Sequence, residues 1–361
     1  MIKVRLLIFA AAIFFSEGNL KIAEAAEAKI VWKAIGPGLE AADAQQWSVI
    51  DLPRGAKPRS FKFSALRFHL GYYEMRLVSI GDFARLKSVQ IAQDQKLAKD
   101  LPALFELGVN AVFRTNPFNA PIVAVVPAGF AISSEKPTNL GLLKIDGIEK
   151  SRLLLKGPSA ILCLDNAPSP RFQYQVPTFF RTRDTNKPEI DDCRDAVQVG
   201  PRIIEDPKST AKNEFENDPD KYQIETYKQK IDGKVVDVPV YQGIPESAAS
   251  ATPYLRTVLA IDDPGRFGKT VTNKEVARNA YIVVTTTPAT LWDLQDMLSS
   301  PAFYANERYA PHWAVNLPGD NYASMIRVRS VDDARQNQSE PIKVGATDQR
   351  QASVLVVTRR K

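Results

Sequence analysis

Few side chains in this sequence could carry imidazole or thiol chemistry, and their scarcity narrows the reactions it could perform. Its 361 residues contain two histidines, His69 and His312, and two cysteines, Cys163 and Cys193. A histidine-rich metal site, or a catalytic triad that depends on histidine, would have to be built from those two histidines. Neither cysteine has a histidine nearby in the sequence, which argues against a catalytic thiol.

The common phosphate, dinucleotide and zinc motifs do not explain the chain. Residues 36–41 (GPGLEA) formally fit a dinucleotide-binding pattern, but Pro37 between the two glycines argues against it. The sequence holds no Walker A loop, G-x-S-x-G elbow, H-E-x-x-H or C-x-x-C motif. Asp191, Asp192 and Asp195 form an acidic turn that could bind a cation or simply be solvated, and their spacing lacks an EF-hand pattern. The sequence therefore predicts no metal site and no cofactor.

The composition is that of a folded, globular protein. Hydrophobic residues make up 44% and charged residues 24% of the chain. This balance excludes a disordered chain, a collagen and a multi-span membrane protein. The formal net charge is +6, but the basic residues are scattered and form no stripe interleaved with aromatic residues. A nucleic-acid partner is therefore not expected.

Residues 1–28 have the features of a secretory signal peptide. Lys3 and Arg5 precede an apolar run at 6–15, and small-residue cleavage patterns follow at 23–25 and 26–28. Ten apolar residues span about 15 Å as a helix, about half of a bilayer core, which favours a cleaved signal over a permanent anchor. We expect a secreted or periplasmic protein with no integral membrane span after cleavage. The alternative is a frayed apolar helix at the N-terminus.

The two cysteines leave a disulfide and free thiols equally open. An exported compartment permits a bridge between Cys163 and Cys193. Such a bridge would close a loop of about 30 residues and stabilise the fold by roughly 3 kcal/mol. However, Cys163 lies in an apolar run, whereas Cys193 lies in the acidic turn.

Short apolar stretches predict many strands and few helices. Leucine spacing predicts a helix over 93–107, which Pro102 should kink or split. A second helix is predicted after an N-cap at Thr287, with Pro288 at its first position. Strands are predicted at 30–35, 61–70, 75–80, 122–126, 142–145, 152–155, 160–164, 197–204, 255–261, 281–285, 314–317, 325–328 and 354–357. Many strands with two main helices predict an α+β fold of mixed β-sheets in a single large domain.

The predicted domain covers residues 29–331. Within it, residues 206–252 are polar and carry runs such as KNEFENDPDKYQ, so they are predicted to be a solvated insertion. Residues 332–361 are predicted to be a polar connection followed by a C-terminal strand.

Five short segments resemble the phosphodiester glycosidase family, which includes the lysosomal uncovering enzyme. In chain order they match the family's "W…PGl", "NGGFF", "lqsGPrL", "pRTaiG" and "AlNLDGG" patterns, the second of which forms a strand in the family. The matching residues here are WKAIGPGL (32–39), LGVNAVF (107–113), AVQVGPR (196–202), YLRTVLA (254–260), and TLWDL (290–294) followed by WAVNLPGD (313–320). These segments occur in the family's order and together extend over most of the chain after the predicted signal.

The resemblance implies an enzyme that cleaves a sugar from a phosphodiester, typically N-acetylglucosamine linked to phosphate through its anomeric carbon. The implied partner is a phosphorylated glycan or sugar phosphodiester, because bacterial relatives are exported and often serve envelope polysaccharide functions. A phosphodiester is anionic, and the guanidinium of an arginine matches it in charge and geometry. Arg256 is the candidate for that role, and an outward-facing arginine in a surface ion pair is the alternative.

Further binding residues follow from the same segments. Asn110 and Asn316 could hydrogen-bond sugar hydroxyls or an N-acetyl group, or they could stabilise turns at strand ends. Gly200 and Pro201 could form a tight turn that lets the backbone approach the ligand, or a merely structural turn. His312 could act as an acid or base near neutral pH, or lie exposed in a loop.

The sequence departs from the family pattern where catalysis would need a carboxylate. The "DGG" signature reads Pro318-Gly319-Asp320, and proline supplies no proton, charge or N–H. Asp320 could substitute, although two residues move a side chain roughly 6–7 Å along an extended chain. The "NGGFF" pattern reads Asn110-Ala111-Val112-Phe113 and has lost both glycines, which restricts the backbone.

Three hypotheses follow from this pattern. The first is a divergent hydrolase in which Arg256 and Asp320 are catalytic, with Gly319 in the binding site. The second is a catalytically lapsed protein that binds an envelope glycan or glycolipid phosphate. In the third, only the fold is kept.

Overall fold

The computed structural model of this chain describes fifteen segments of the sequence. They are residues 29–49, 59–80, 109–118, 120–131, 139–154, 160–164, 177–181, 190–205, 225–231, 234–240, 253–262, 279–305, 310–332, 340–349 and 351–360. The predicted signal peptide at 1–28 and the predicted helix at 93–107 lie outside these residues. Of the predicted insertion at 206–252, the described residues are the strands β12 (Glu225–Ile231) and β13 (Lys234–Val240), which form an antiparallel pair.

A seven-stranded antiparallel sheet forms the centre of the fold. Its strands, in spatial order, are β1 (Lys33–Gly36), β2 (Leu39–Ser48), β3 (Ser60–His69), β15 (Asn279–Thr285), β14 (Thr257–Asp262), β16 (Pro311–Leu317) and β11 (Arg202–Glu205). Pro37 and Gly38, in the segment that resembles a dinucleotide motif, form the turn of the β1–β2 hairpin. The glycines of that segment therefore serve a hairpin turn.

Two five-stranded sheets pack against one face of the central sheet. The first contains β18 (Ile342–Gly345), β17 (Ser324–Arg327), β5 (Ile122–Pro127), β19 (Ser353–Arg359) and β4 (Tyr73–Ser79). The second contains β7 (Ile148–Ser151), β6 (Leu143–Ile145), β10 (Asp195–Val199), β8 (Ala160–Leu164) and β9 (Pro177–Arg181). Leu66 of the central sheet, Val357 of the first and Leu162 of the second belong to one buried apolar cluster. The three sheets therefore share a core.

Helices cover the other faces of two sheets. Helix α1 (Val109–Thr115) lies against the first five-stranded sheet, where Val109 and Val112 join a cluster of buried strand residues. Helices α2 (Leu291–Leu298) and α3 (Pro301–Tyr304) lie against the central sheet, and Leu294 and Phe303 are completely buried there. Because both of its faces are covered, β15 is buried along its whole length.

The predicted α+β class with two main helices is wrong. The described residues are mostly antiparallel strands, with three short helices of seven, eight and four residues. The segment at 107–113, which resembles a family strand, is helical from Val109 onward. The second predicted helix is present but begins at Leu291, because Thr290 caps it in a capping box with Asp293. The strand predicted at 152–155 is not formed by residues 152–154.

Cys163 and Cys193 form a disulfide, which resolves the alternative that the sequence left open. The bridge joins β8 to the acidic turn before β10. Among the described residues, no helix is long and apolar enough to cross a membrane.

Candidate functional site

The register between β14 and β16 brings distant parts of the chain together. Thr257 lies opposite Leu317, and Val258 lies opposite Asn316. Because the two strands are antiparallel, the residues just before β14 meet the residues just after β16. These are the positions of Arg256 and of the Pro318-Gly319-Asp320 segment.

Arg256 is buried, and Thr285, Ala289 and Tyr254 are among the residues that hold it. It is 6% exposed, its backbone N–H donates to Thr285 Oγ1 at 2.8 Å, and its Nε donates to the carbonyl of Ala289 at 3.3 Å. Its guanidinium carbon lies 5.1 Å from the centroid of the Tyr254 ring, a cation–π distance. The alternative of an outward-facing arginine therefore does not apply.

Gly319 lies directly against the backbone that precedes Arg256. A Cβ added to Gly319 would lie 2.6 Å from the Leu255 carbonyl oxygen and 3.7 Å from Arg256 Cδ. Any other residue would have to displace this backbone, so the lack of a side chain permits the close approach.

Asp320 follows with its backbone fixed and its side chain in solvent. Its N–H donates to the Leu255 carbonyl at 2.6 Å, and its φ of 53° starts a short 3₁₀ turn over Asp320–Tyr322. The residue is exposed, and its carboxylate makes no ion pair within the described part of the chain. A carboxylate thus stands one residue beyond the glycine that contacts the arginine.

Asn316 is joined through its backbone to Gly200 and Pro201. Its carbonyl accepts from the Gly200 N–H at 3.0 Å, and its N–H donates to the Pro201 carbonyl at 2.9 Å. Gly200 has a φ of 134°, a conformation that glycine adopts most readily. The two residues divide the strand predicted at 197–204, because β10 belongs to a five-stranded sheet and β11 to the central sheet.

The side chain of Asn316 is buried with an acceptor left over. The residue is 3% exposed, and its Oδ1 has no hydrogen-bond partner among the described residues. A buried carbonyl oxygen without a donor costs about 1–3 kcal/mol, so it is a suitable acceptor for a ligand hydroxyl or N–H. The alternative of an asparagine that stabilises a turn through this oxygen is not what the fold shows.

Asn110 lies on a different element and has different partners. It is in the first turn of α1, where its N–H donates to the Thr347 carbonyl at 3.4 Å and its Nδ2 to Asp348 Oδ1 at 2.9 Å. The loop that Asn110 contacts also reaches the start of β17, where the Ala346 N–H donates to the carbonyl of Ala323 at 3.1 Å. Asn110 is therefore linked to the chain beyond Asp320 through a loop and is not hydrogen-bonded to Arg256 or Asn316.

His312 is at the opposite end of β16. It precedes Asn316 by four residues, about 13 Å along a strand. The structure thus brings six of the candidate residues together, leaves Asn110 beyond a loop and does not bring His312 to the group. The six are Arg256, Gly319, Asp320, Asn316, Gly200 and Pro201.

One aspartate of the acidic turn, Asp195, has a structural role. Asp195 is buried, and its Oδ1 accepts from the Asp146 N–H at 2.8 Å. Burial raises the pKa of Asp195 above its ordinary value, against the lowering effect of that hydrogen bond. Asp191 and Asp192 are exposed. No group of three or more histidine, cysteine, aspartate or glutamate residues in the described segments is arranged to hold a metal ion.

Sequence reasoning missed the residues that hold Arg256. Thr285 ends β15 and Ala289 precedes α2, so both come from parts of the chain about 30 residues away. Tyr254 had a signal that could have been noticed, an aromatic residue two positions before the candidate arginine.

Comparisons with known proteins gave structural likenesses alone. No protein-family model matches the sequence, and no curated protein matches it. The catalytic domain of zebrafish N-acetylglucosamine-1-phosphodiester alpha-N-acetylglucosaminidase, auto-inhibited by its pro-peptide, is 10% identical with a TM-score of 0.47, covering 92% of this chain and 89% of that one. A hypothetical protein from Synechocystis is 11% identical with a TM-score of 0.46, and the match covers 90% of this chain and 62% of that one. A protein from Burkholderia pseudomallei described as exported is 11% identical with a TM-score of 0.41, and the match covers 84% of this chain and 77% of that one. The assignment of function therefore rests on the residues around Arg256 and Asn316.

Proposed function

We propose that this chain is an exported hydrolase that cleaves a sugar from a phosphodiester. The observation that carries the proposal is the hydrogen bond of 2.6 Å from the Asp320 N–H to the Leu255 carbonyl. It fixes a carboxylate-bearing residue beside the chain that leads into a buried arginine. Hydrolysis of an anionic glycosyl linkage is assisted by a cation that binds the phosphate and by a carboxylate that activates water.

In the proposed reaction, Arg256 binds the phosphate and Asp320 activates water. The Asp320 carboxylate accepts a proton from water, and the water oxygen forms a bond to the anomeric carbon. The bond between that carbon and the phosphate oxygen breaks, and its electron pair leaves with the phosphomonoester. A phosphate is a weakly basic leaving group, so the step needs less help from a general acid than the departure of a sugar alkoxide does. The guanidinium of Arg256 offsets the charge that develops on it.

The remaining residues of the site would orient the sugar. Asn316 Oδ1 is a buried acceptor that matches a hydroxyl or an acetamido N–H. Gly200 has no side chain, so a ligand could approach the backbone beside Asn316 there, whereas Gly319 lets the backbone before Asp320 pack against Leu255.

A binding protein for a phosphorylated glycan is the second candidate, and one observation favours it. Pro318, which is buried, occupies the place of the carboxylate in the motif that the sequence resembles. Binding requires a phosphate contact and a sugar contact, which Arg256 and Asn316 supply without a catalytic carboxylate.

The test is sugar release by the purified chain from an α-linked N-acetylglucosamine phosphodiester. Wild type should release N-acetylglucosamine and a phosphomonoester in equal amounts. Asp320→Asn should lower kcat by about 100-fold or more with little change in KM, and Arg256→Ala should abolish release. Asp192→Asn is the control for an exposed aspartate, and Arg67→Ala is the control for loss of a buried arginine.

Each result separates the candidates. Release that falls in Asp320→Asn but not in Asp192→Asn supports the hydrolase. Binding of the phosphodiester without release, lost in Arg256→Ala but kept in Arg67→Ala, supports the binding protein. A wild-type chain that neither binds nor cleaves this compound overturns both.

A further inference from the structure

Tyr254 is an exposed aromatic residue whose position is fixed by the backbone. Its N–H donates to the Ala289 carbonyl at 3.2 Å, and its carbonyl accepts from the Ala289 N–H at 2.9 Å. This two-way bridge lies outside the named strands. The residue is nevertheless 38% exposed, although its backbone is held by hydrogen bonds.

The ring of Tyr254 and the guanidinium of Arg256 form one unit. The guanidinium carbon is 5.1 Å from the ring centroid, and Arg256 Nε also donates to the Ala289 carbonyl that receives the Tyr254 N–H. The cation thus lies within contact distance of the ring, and part of Tyr254 remains exposed. Leu255, between the two residues, carries the carbonyl that accepts from Asp320.

An exposed ring in this place has the properties of a sugar platform. An aromatic face is apolar and electron-rich, and tyrosine combines this face with a polar hydroxyl. The C–H face of a pyranose is apolar and carries a partial positive charge, which makes it complementary to such a ring. The cation next to the ring would bind the phosphate attached to that sugar.

We propose that Tyr254 is a stacking subsite for the pyranose ring of the ligand, adjacent to the phosphate contact of Arg256. This inference rests on the proposed function, since it takes Arg256 as the phosphate contact. It makes Tyr254 a residue that determines specificity, because it distinguishes a sugar phosphodiester from a phosphodiester that has no ring.

The test compares two probes on four proteins, with Arg256→Ala as a fifth that checks the phosphate contact. The probes are the methyl phosphodiester of α-N-acetylglucosamine and dimethyl phosphate, which lacks the sugar. The proteins are wild type, Tyr254→Ala, Tyr254→Phe and Tyr72→Ala, and Tyr72 is a matched exposed tyrosine with 54% exposure. Tyr254→Ala should weaken binding of the sugar compound by about 5-fold or more and change dimethyl phosphate binding by less than about 2-fold. Tyr254→Phe and Tyr72→Ala should bind both probes as wild type does.

The opposing results are distinct from failure of the proposed function. Unchanged affinity of Tyr254→Ala for the sugar compound overturns the subsite, and so does an equal loss for both probes, which would make the ring a support for Arg256. A loss in Tyr254→Phe as large as in Tyr254→Ala would assign the effect to the hydroxyl and also overturn stacking. If wild type binds neither probe, or if Arg256→Ala binds both as well as wild type does, the proposed function itself fails.

Discussion

The backbone N–H of Asp320 donates a hydrogen bond of 2.6 Å to the carbonyl of Leu255, the residue before the buried Arg256. This bond closes the end of the β14–β16 pair and fixes the backbone of Asp320 beside the chain that leads into Arg256. The family pattern that the sequence resembles has its aspartate two positions earlier, where this chain has Pro318. The proposed hydrolase assigns the role of that aspartate to Asp320.

Gly319→Ala should disturb this arrangement. The new Cβ would lie 2.6 Å from the Leu255 carbonyl oxygen, so the backbone must move. We expect a loss of about 1–3 kcal/mol in the free energy of unfolding, measured in urea, together with loss of sugar release. Gly147→Ala is the control, because nothing lies within 4 Å of its Cβ and its cost comes from a φ of 78° alone. Sugar release in Gly319→Ala equal to that in Gly147→Ala would contradict the expected close approach.

Asn316→Leu should separate stability from binding. It removes a buried oxygen that has no hydrogen-bond partner among the described residues, so the free energy of unfolding should stay the same or rise by about 1 kcal/mol. Affinity for the sugar phosphodiester should fall in titration calorimetry.

The matched control is Asn139→Leu. Asn139 is also buried, but it donates to the Gly141 carbonyl at 3.2 Å and accepts from Ser353 Oγ at 2.8 Å. Replacement of Asn139 by leucine should lower the free energy of unfolding by about 2 kcal/mol. Equal destabilisation by the two variants would mean that Asn316 serves the fold in the same way as Asn139.

Replacement of both cysteines by serine should destabilise the fold. The disulfide between Cys163 and Cys193 closes a loop with a sequence separation of 30, worth about 3–4 kcal/mol on the chain-entropy account. Thermal unfolding of wild type with a reductant should approach that of the double variant. A melting temperature that responds to neither change would show that the bridge adds nothing to stability.

Tyr73 should make the fold sensitive to alkaline pH. Its hydroxyl donates to the Pro37 carbonyl at 3.0 Å, and burial raises its pKa from 10.0 to about 12. A raised acid pKa means that the folded state holds the proton longer than the unfolded state does. Stability should therefore fall as pH rises from about 10 towards 12, by about 2 kcal/mol in total.

The measurement for Tyr73 is urea unfolding at pH 9 and pH 11.5 for wild type, Tyr73→Phe and Tyr72→Phe. Tyr73→Phe should lose about 1 kcal/mol at pH 9 through the missing hydrogen bond and show a smaller additional loss at pH 11.5. The same alkaline loss in Tyr73→Phe as in wild type would assign the sensitivity to another group.

Strands with continuous apolar runs could be predicted from the sequence. The prediction at 160–164 coincides with β8, and the one at 122–126 differs from β5 by one residue. β2 was missed, because its sequence LEAADAQQWS is rich in residues that favour helix. Pairing with β1 on one side and β3 on the other overrides that local preference.

Helix α1 shows the opposite effect. Its sequence VNAVFRT has valines and an aromatic residue typical of a strand. Val109 and Val112 instead pack as one helical face on the outside of a sheet. The α+β prediction failed because strands such as β2 form through long-range pairing that local periodicity does not encode.

The membership of the candidate site could be predicted in part, but its geometry could not. The resemblance selected Arg256, Asn316 and Gly319 from separate segments. Their proximity depends on the register that sets Thr257 opposite Leu317, a pairing across 60 residues of sequence. The supports of Arg256 at Thr285 and Ala289 depend on the same kind of pairing, and no motif marked them.

The most direct measurement of the central claim is phosphorus NMR of wild type mixed with an α-linked N-acetylglucosamine phosphodiester. The account predicts that the phosphodiester resonance declines while a phosphomonoester resonance grows, and that Arg256→Ala abolishes this change. A phosphodiester resonance that does not decline in the presence of the wild-type protein would contradict it, and one that shifts or broadens without declining would support the binding protein instead.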